Sequence, residues 1–156
     1  MSTTTIEDII LQRDQRGVSE LREFLPPDYC HQAAQYVLDH AGITLITTGF
    51  YIVSGKAAET DGPPGALAIG RALETLGRRV IYVTDRYTNE IMQKLAGPDA
   101  EIEDFPITTI EESTEFSRQL IAQYNPALLI SIERCAPSRD GLYRNMRAID
   151  ITDHTA

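Results

Sequence analysis

Residues 43–85 contain the pattern that sets the architecture of this chain, ITLITTGFYIVSGKAAETDGPPGALAIGRALETLGRRVIYVTD. The β-branched run at residues 43–47 predicts a strand. Residues 65–76 place small and aliphatic side chains at helical spacing and end before a glycine, which predicts a helix. Residues 80–83 predict a second strand. Because a strand that returns through a helix runs parallel to the first, this segment predicts a parallel βαβ unit.

The same alternation continues towards the C terminus. We predict a helix after Thr88, a weaker polar strand at residues 101–105 and a helix after the capping-box spacing Thr109-x-x-Glu112. An apolar strand follows at residues 127–132, which we expect to be buried on both faces. The sequence therefore predicts an α/β fold with an open, mostly parallel, Rossmann-like sheet of about four strands, sandwiched by helices.

We expect a single α/β domain over residues 1–156. Its predicted parts are a helical N-terminal extension at residues 1–41, a βα core at 42–135 and a tail at 136–156. The tail contains only a faint strand at residues 148–152. We therefore expect the domain to be incomplete without further chain.

The N-terminal extension carries two helix-start signals. The spacing Thr4-x-x-Glu7 predicts a capping box before the first helix. Pro26-Pro27-Asp28 predicts the start of a later helix. The residues of that helix expected to face inward are Ala33, Ala34, Val37 and Leu38.

The composition excludes several classes of protein. The 156 residues carry 14 Lys+Arg against 23 Asp+Glu, a formal net charge of −9. Such an acidic chain is a poor candidate for binding nucleic acid or an anionic membrane surface. No apolar run approaches the ~20 residues that span a bilayer. The first residues lack the basic and apolar regions of a secretory signal, so we expect a cytoplasmic protein.

The carboxyl ends of the predicted strands are the expected ligand-binding edge, because ligands of open α/β sheets bind there. The residues that follow these strands are Thr48, Gly49, Thr84, Asp85, Glu133 and Arg134.

The loop after the first strand is the richest in candidate residues. Residues 62–65, Gly-Pro-Pro-Gly, open a helix whose free N–H groups favour an anion such as a substrate carboxylate. Glu59 and Asp61 beside them can hold a cation, either a metal ion or a substrate ammonium. The alternative is a rigid loop in which Asp61 only caps the helix. The loop has neither the P-loop nor the dinucleotide-binding glycine pattern.

Acidic side chains form the second group of candidates. Asp85 and Glu133, at the ends of separate strands, can converge with Asp61, and hard oxygen ligands of this kind suit Mg²⁺ or Mn²⁺. We predict Glu59, Asp61 and Glu133 as metal ligands, and Asp61, Asp85 and Glu133 as catalytic groups. The alternative is that each carboxylate caps a helix or faces water.

Arginines give the C-terminal region a local positive charge, and they are Arg134, Arg139, Arg144 and Arg147. Since guanidinium groups bind carboxylates through two parallel hydrogen bonds, a small acidic substrate is expected. An ordinary surface role is the alternative, and it is favoured more for Arg139 and Arg144. Cys30 and Cys135 are too few for a disulfide framework or a Cys-x-x-Cys zinc site.

Several short motifs go beyond these general patterns. They are LITTGF at 45–50, ETDGPPGA at 59–66, RALETLG at 71–77, VTD at 83–85, SIER at 131–134, DGLYRNMR at 140–147 and IDI at 149–151. Together they resemble the C-terminal domain of the D-glutamate cyclase family over nearly the whole chain. The ETDGPPG stretch is the most specific of them.

The resemblance implies conversion of D-glutamate to 5-oxo-D-proline with loss of water, assisted by Mn²⁺ or Mg²⁺. The positions that inherit the family's motifs are Glu59, Asp61, Gly62, Pro63, Pro64, Asp85, Glu133, Arg134, Asn145, Arg147 and Asp150. The residues predicted to bind substrate are Thr48, Gly49, Gly62, Pro63, Pro64, Gly65, Arg134, Asn145 and Arg147.

Roles for these residues follow as hypotheses from the chemistry of lactam formation. Glu133 or Asp85 would act as a base or a metal ligand, Arg134 and Arg147 would hold the α-carboxylate, and residues 62–65 would hold the γ-carboxylate. The family domain is longer than this chain, so we also expect self-association or a second chain that supplies the missing half. The alternative function is a non-catalytic α/β module that binds a small metabolite.

Overall fold

The computed structural model describes residues 4–155. The chain divides into two compact units, with the boundary between Ala41 and Gly42. No helix among the described residues is long and apolar enough to cross a membrane.

The second unit is built around a parallel sheet. Its elements in chain order are β1 (Thr44–Thr48), β2 (Tyr51–Ile52), β3 (Ala57–Ala58), α3 (Gly62–Thr75), β4 (Val80–Thr84), α4 (Asn89–Ala96), β5 (Glu101–Asp104), α5 (Ile110–Tyr124) and β6 (Leu128–Ile132). Strands β1, β4, β5 and β6 form one sheet in the order β5-β4-β1-β6, and every neighbouring pair is parallel. The predicted α/β fold with a parallel sheet of about four strands is confirmed.

Helices cover both faces of this sheet. On one face Tyr82 of β4 packs against Gly70 of α3. On the other face Leu45, Ile81 and Val83 form a buried cluster with Leu120 of α5. Since successive strand residues point to opposite faces, α3 and α5 lie on opposite sides of the sheet. The core of the unit is therefore two apolar layers separated by the strands.

The prediction that the last strand is buried on both faces is wrong. Strand β6 lies at the edge of the sheet and, among the described residues, pairs only with β1. Its burial alternates, and Leu129 is 56% exposed. An edge strand has one neighbour instead of two, so apolar composition alone did not reveal how much of it would be covered.

Two details of the second unit also differ from the sequence-based expectations. Helix α3 begins at Gly62, three residues before the predicted start, with Asp61 at its N-cap position. The faint strand expected at residues 148–152 is only an isolated bridge between Arg144 and Asp150, followed by a 3-10 turn at Thr152–His154. Ile151 is nevertheless fully buried, which holds this part of the tail in place.

The first unit contains α1 (Ile6–Ile10), a 3-10 helix (Val18–Phe24) and α2 (Tyr29–Asp39). The capping box of α1 uses Thr5 and Asp8 instead of the predicted Thr4 and Glu7. The reason is that the Glu7 carboxylate accepts a hydrogen bond from the backbone N–H of Cys30 at the start of α2, over 2.9 Å.

The inward face predicted for α2 is largely wrong. Ala33, Ala34 and Leu38 are exposed, and Val37 is half-buried. A helical stripe of apolar residues predicts burial only when a second element lies against it.

Replacement of Gly70 by alanine should destabilise the protein. A Cβ atom at position 70 would overlap the Tyr82 hydroxyl and lie 2.7 Å from Tyr82 Cζ, so α3 would have to move away from the sheet. Overpacking of this kind costs roughly 1–3 kcal/mol of unfolding free energy. Gly65→Ala in the same helix is the matched control, because its Cβ would meet Ile132 Cγ2 at an ordinary 3.6 Å. Equal urea midpoints for the two variants would contradict this packing.

Tyr82 should make stability fall at high pH. Its hydroxyl is buried without a partner in the described chain, and burial raises its pKa to about 12. Between pH 10 and 12 the unfolded tyrosine loses its proton while the folded one keeps it, so the unfolding free energy decreases as pH rises. The slope from this one group is at most about 1.4 kcal/mol per pH unit. Urea unfolding of wild type and Tyr82→Phe at pH 9 and 11 measures it, and an identical pH dependence would refute the assignment.

Candidate functional site

The strand order of the sheet reverses at β1. From β1 it passes through α3 and α4 to β4 and β5, whereas α5 returns it to β6 on the other side of β1. A crevice at the carboxyl ends of β1 and β6 is the usual ligand site of such a sheet. Thr48 ends β1 here, and Glu133 directly follows β6.

The start of α3 lies directly against this crevice. A Cβ atom on residue 62 would lie 2.8 Å from Thr48 Oγ1 and 2.9 Å from Glu133 Cβ. Only glycine permits this approach, because any side chain would push the helix away from the strand ends. Gly62 therefore brings the loop before α3 into contact with the ends of both strands.

Three carboxylates meet as a result, and we call Glu59, Asp61 and Glu133 the carboxylate trio. One oxygen from each can be chosen so that all three lie within 4.8 Å of one another. Asp61 also accepts a hydrogen bond from the Gly62 N–H over 3.0 Å. Glu133 adopts a left-handed backbone with φ of 48°, a conformation that costs energy for a residue with a side chain.

The electrostatics of the trio favour a cation. Like charges at this separation repel, and a metal ion or an ammonium group removes the repulsion. Carboxylate oxygens are the ligands that Mg²⁺ and Mn²⁺ prefer. The donor set therefore fits a hard divalent ion.

A buried ion pair lies beside the crevice. Asp85 and Arg134 form a salt bridge in which their side chains are 4% and 10% exposed, respectively. Asp85 also accepts a hydrogen bond from the Tyr87 N–H over 3.0 Å, and Arg134 Nη1 donates to the Gly49 carbonyl over 3.3 Å. These contacts tie the ends of β1, β4 and β6 together.

Buried threonines surround the same region. The hydroxyls of Thr48, Thr84 and Thr88 have no hydrogen-bond partner among the described residues, although all three side chains are buried. Two of these hydroxyls and Arg134 lie close around Gly49. A Cβ atom on residue 49 would lie 2.9 Å from Thr88 Oγ1, 3.1 Å from Thr84 Oγ1 and 3.2 Å from Arg134 Nη1. The sequence predicted only that a helix follows Thr88. Thr88 lies shortly after Asp85, the carboxylate at the end of β4, and this position was the sequence signal that could have placed Thr88 in the site.

The prolines in the loop limit what the start of α3 can bind. Pro63 and Pro64 carry no N–H, and the N–H of Gly62 already donates to Asp61. Few amide donors therefore remain here for a substrate carboxylate. The Gly-Pro-Pro-Gly segment instead holds Asp61 and Gly62 in place at the crevice.

The tail residues Asn145 and Arg147, which were predicted to bind substrate, make their hydrogen bonds elsewhere. The Asn145 side chain accepts hydrogen bonds from the backbone N–H groups of Arg147 and Ile149, so it organises its own turn. Arg147 is exposed. Within residues 4–155, none of the hydrogen bonds described for these residues joins them to the crevice.

Comparison with known proteins assigns the chain to a family. Human mitochondrial D-glutamate cyclase is 32% identical over an alignment of 131 positions, and the alignment covers 76% of this chain. The same alignment covers 21% of the human protein, so the chain spans about a fifth of that relative. The model of the family described as "D-glutamate cyclase-like, C-terminal" matches residues 6–156. The chain therefore belongs to the D-glutamate cyclase-like family, in its C-terminal region.

Proposed function

We propose that this chain forms a lyase site that converts D-glutamate to 5-oxo-D-proline and water. The observation that carries the proposal is the carboxylate trio beside the Asp85–Arg134 ion pair, at the sheet crevice of a D-glutamate cyclase-like domain. In this reaction the α-nitrogen bonds to the γ-carboxyl carbon, one C–O bond breaks, and water leaves. Positioning alone can supply ~7 kcal/mol or more of the barrier when the reacting atoms are held together.

Glu133 is the residue we assign as the base. The α-ammonium of the substrate must lose a proton before its nitrogen can attack. Glu133 is exposed and lies at the crevice, whereas Asp85 is buried and already accepts hydrogen bonds from Arg134 and Tyr87. We therefore assign Asp85 as a positioning residue that fixes Arg134.

Arg134 is the group we assign to the substrate α-carboxylate. Arg134 contacts Asp85 and the Gly49 carbonyl at the ends of β4 and β1, so a carboxylate held there would lie at the same edge of the sheet as the proposed base. Arg147 and Asn145 would contribute only if the turn at residues 145–149 came closer to the crevice. Glu133 and Arg134 together would recognise the positive and negative groups of an amino acid.

Glu59 and Asp61 of the carboxylate trio would hold Mn²⁺ or Mg²⁺ in this proposal, which leaves the third carboxylate, Glu133, to act as the base. When bound, such an ion would act as a Lewis acid that makes the γ-carboxyl carbon more electrophilic. Asp61 is positioned for this role by the Gly62 N–H, and Glu59 by its backbone hydrogen bond to the Phe50 carbonyl over 2.7 Å.

The cytoplasmic location stays a prediction, since the human relative is named as mitochondrial.

The full chain should convert D-glutamate, but not L-glutamate, to 5-oxoproline in the presence of Mg²⁺. Proton NMR of the reaction measures product directly. Glu133→Gln and Asp61→Asn should each lower turnover at least about 100-fold, because they remove a base or a cation ligand while keeping side-chain shape.

Glu74→Gln provides the matched control, since Glu74 is exposed near the other end of α3. It should retain full turnover. Retained turnover in both site variants would refute the residue assignment, and no product from a folded wild type would refute the activity of this chain.

A second candidate function, an assembly module, is favoured by the edge of the sheet. Strand β6 is rich in apolar residues, its outer edge is unpaired among residues 4–155, and Leu129 is exposed. Natural proteins usually protect such edges with charges, prolines or a covering segment. We propose that β6 pairs with a strand of a second copy or of another chain that completes the domain.

Self-association through β6 predicts a dimer in solution. Light scattering after size exclusion should give about twice the chain mass for wild type and the monomer mass for Leu129→Glu, since a charge on an edge strand blocks pairing. Gln123→Glu, at an exposed position of α5, should leave the dimer intact. A monomeric wild type at tens of micromolar would rule out self-association.

A further inference from the structure

The hairpin between β1 and α3 carries one member of the carboxylate trio. Strands β2 and β3 pair antiparallel with Tyr51 opposite Ala58, and Glu59 follows β3 directly. The N–H of Glu59 donates to the Phe50 carbonyl over 2.7 Å, so this carboxylate is held by the same strand pairing. The pairing joins two strands of two residues each. Because so short a hairpin is not stable by itself, its position depends on contacts with the rest of the unit.

Aromatic rings supply such contacts, and we call Tyr51, Tyr87 and His154 the aromatic clamp. The centroid of the Tyr51 ring lies 4.4 Å from that of Tyr87 and 4.3 Å from that of His154. A hydrogen bond of 3.1 Å joins the Tyr87 hydroxyl and His154 Nδ1. All three side chains are half-buried. The ring on the hairpin is therefore contacted by two rings that also contact each other.

Both partners of Tyr51 are anchored in the second unit. The Tyr87 N–H donates to the Asp85 carboxylate over 3.0 Å, and Asp85 is buried at the end of β4. The His154 N–H donates to the Ile151 carbonyl over 2.8 Å, and Ile151 is buried in the tail. The clamp therefore joins the hairpin to fixed points at the end of β4 and in the tail.

We propose that Tyr51 is a positioning residue that acts through the β2–β3 hairpin to hold Glu59 in place as a cation ligand. The inference rests on the proposed function and adds how the carboxylate trio is kept assembled. Asp61 is fixed at the first turn of α3, whereas Glu59 depends on the hairpin and hence on the clamp. The tail takes part in the site through His154.

Mn²⁺ binding to the full chain tests the inference. A titration followed by electron paramagnetic resonance should show that Tyr51→Ala lowers the Mn²⁺ affinity about 10- to 100-fold, the loss typical when a group that orients a metal ligand is removed. Tyr51→Phe keeps the ring and should bind Mn²⁺ like wild type. Tyr36→Ala is the matched control and should also bind like wild type, because Tyr36 of the first unit stacks on a histidine, His40, over 4.0 Å.

A double-mutant cycle separates positioning of Glu59 from a general loss of structure. If Tyr51 acts through Glu59, Tyr51→Ala should lower the Mn²⁺ affinity much less when Glu59→Gln is already present. An undiminished effect in that background would overturn the inference, and so would wild-type affinity in Tyr51→Ala. His154→Ala removes the other side of the stack and should also weaken Mn²⁺ binding, so it decides the question if Tyr51→Ala does not fold.

If wild type does not bind Mn²⁺, the metal site of the proposed function fails and the clamp is tested on the hairpin alone. NMR relaxation of the backbone amides measures this directly. In wild type the amides of residues 57–59 should have order parameters of about 0.85, and in Tyr51→Ala these should fall below about 0.6 while those of β1 stay unchanged. A mobile hairpin in wild type, or an equally rigid one in the folded variant, would overturn the inference.

Discussion

The close approach of α3 to the sheet is the constraint on which the rest of the second unit depends. Gly70 lets the helix lie directly on Tyr82, and Gly62 lets its first turn touch Thr48 and Glu133. A side chain at either position would push the helix outward, because protein interiors have no spare volume to absorb it. The close packing of α3 on the sheet therefore also brings Glu59 and Asp61 to the end of β6.

Charge is distributed unevenly around the crevice. On the α3 side the carboxylate trio concentrates negative charge, while Asp85 neutralises Arg134 within a nearly buried pair. A net charge of −9 would repel the acidic substrate of the proposed reaction at long range, so its recognition would have to come from local groups. In the proposed function Glu133 would face the ammonium group of an amino acid, and Arg134, held in place by Asp85, would face its carboxylate. The ion pair also links three strand ends, so the geometry of the site and the packing of the sheet edge are coupled.

The chain leaves groups unsatisfied where a ligand or partner would be expected. The hydroxyls of Thr48, Thr84 and Thr88 are buried without partners in the described part of the chain, and β6 presents an apolar edge. Both features cost stability in the isolated chain. They lie at the crevice and at the strand that borders it, in a chain that spans about a fifth of its human relative. Ligand binding and assembly would thus act on the same end of the sheet.

The sequence by itself determined the four parallel strands and the helices between them, because periodicity, capping residues and strand-end positions are local signals, whereas it did not reveal the short pair β2 and β3. It also placed Glu59, Asp61 and Glu133 at the expected ligand-binding edge, and their role as metal ligands stays a prediction. Only the tertiary structure decided that β6 is an exposed edge strand and that Asp85 forms an ion pair with Arg134. It also showed that the N–H of Gly62 donates to Asp61, so few amide donors at the start of α3 remain for an anion. The aromatic clamp likewise became visible only in the structure, because its rings come from residues far apart in the chain. These features depend on which elements become neighbours, and no short stretch of sequence contains that information.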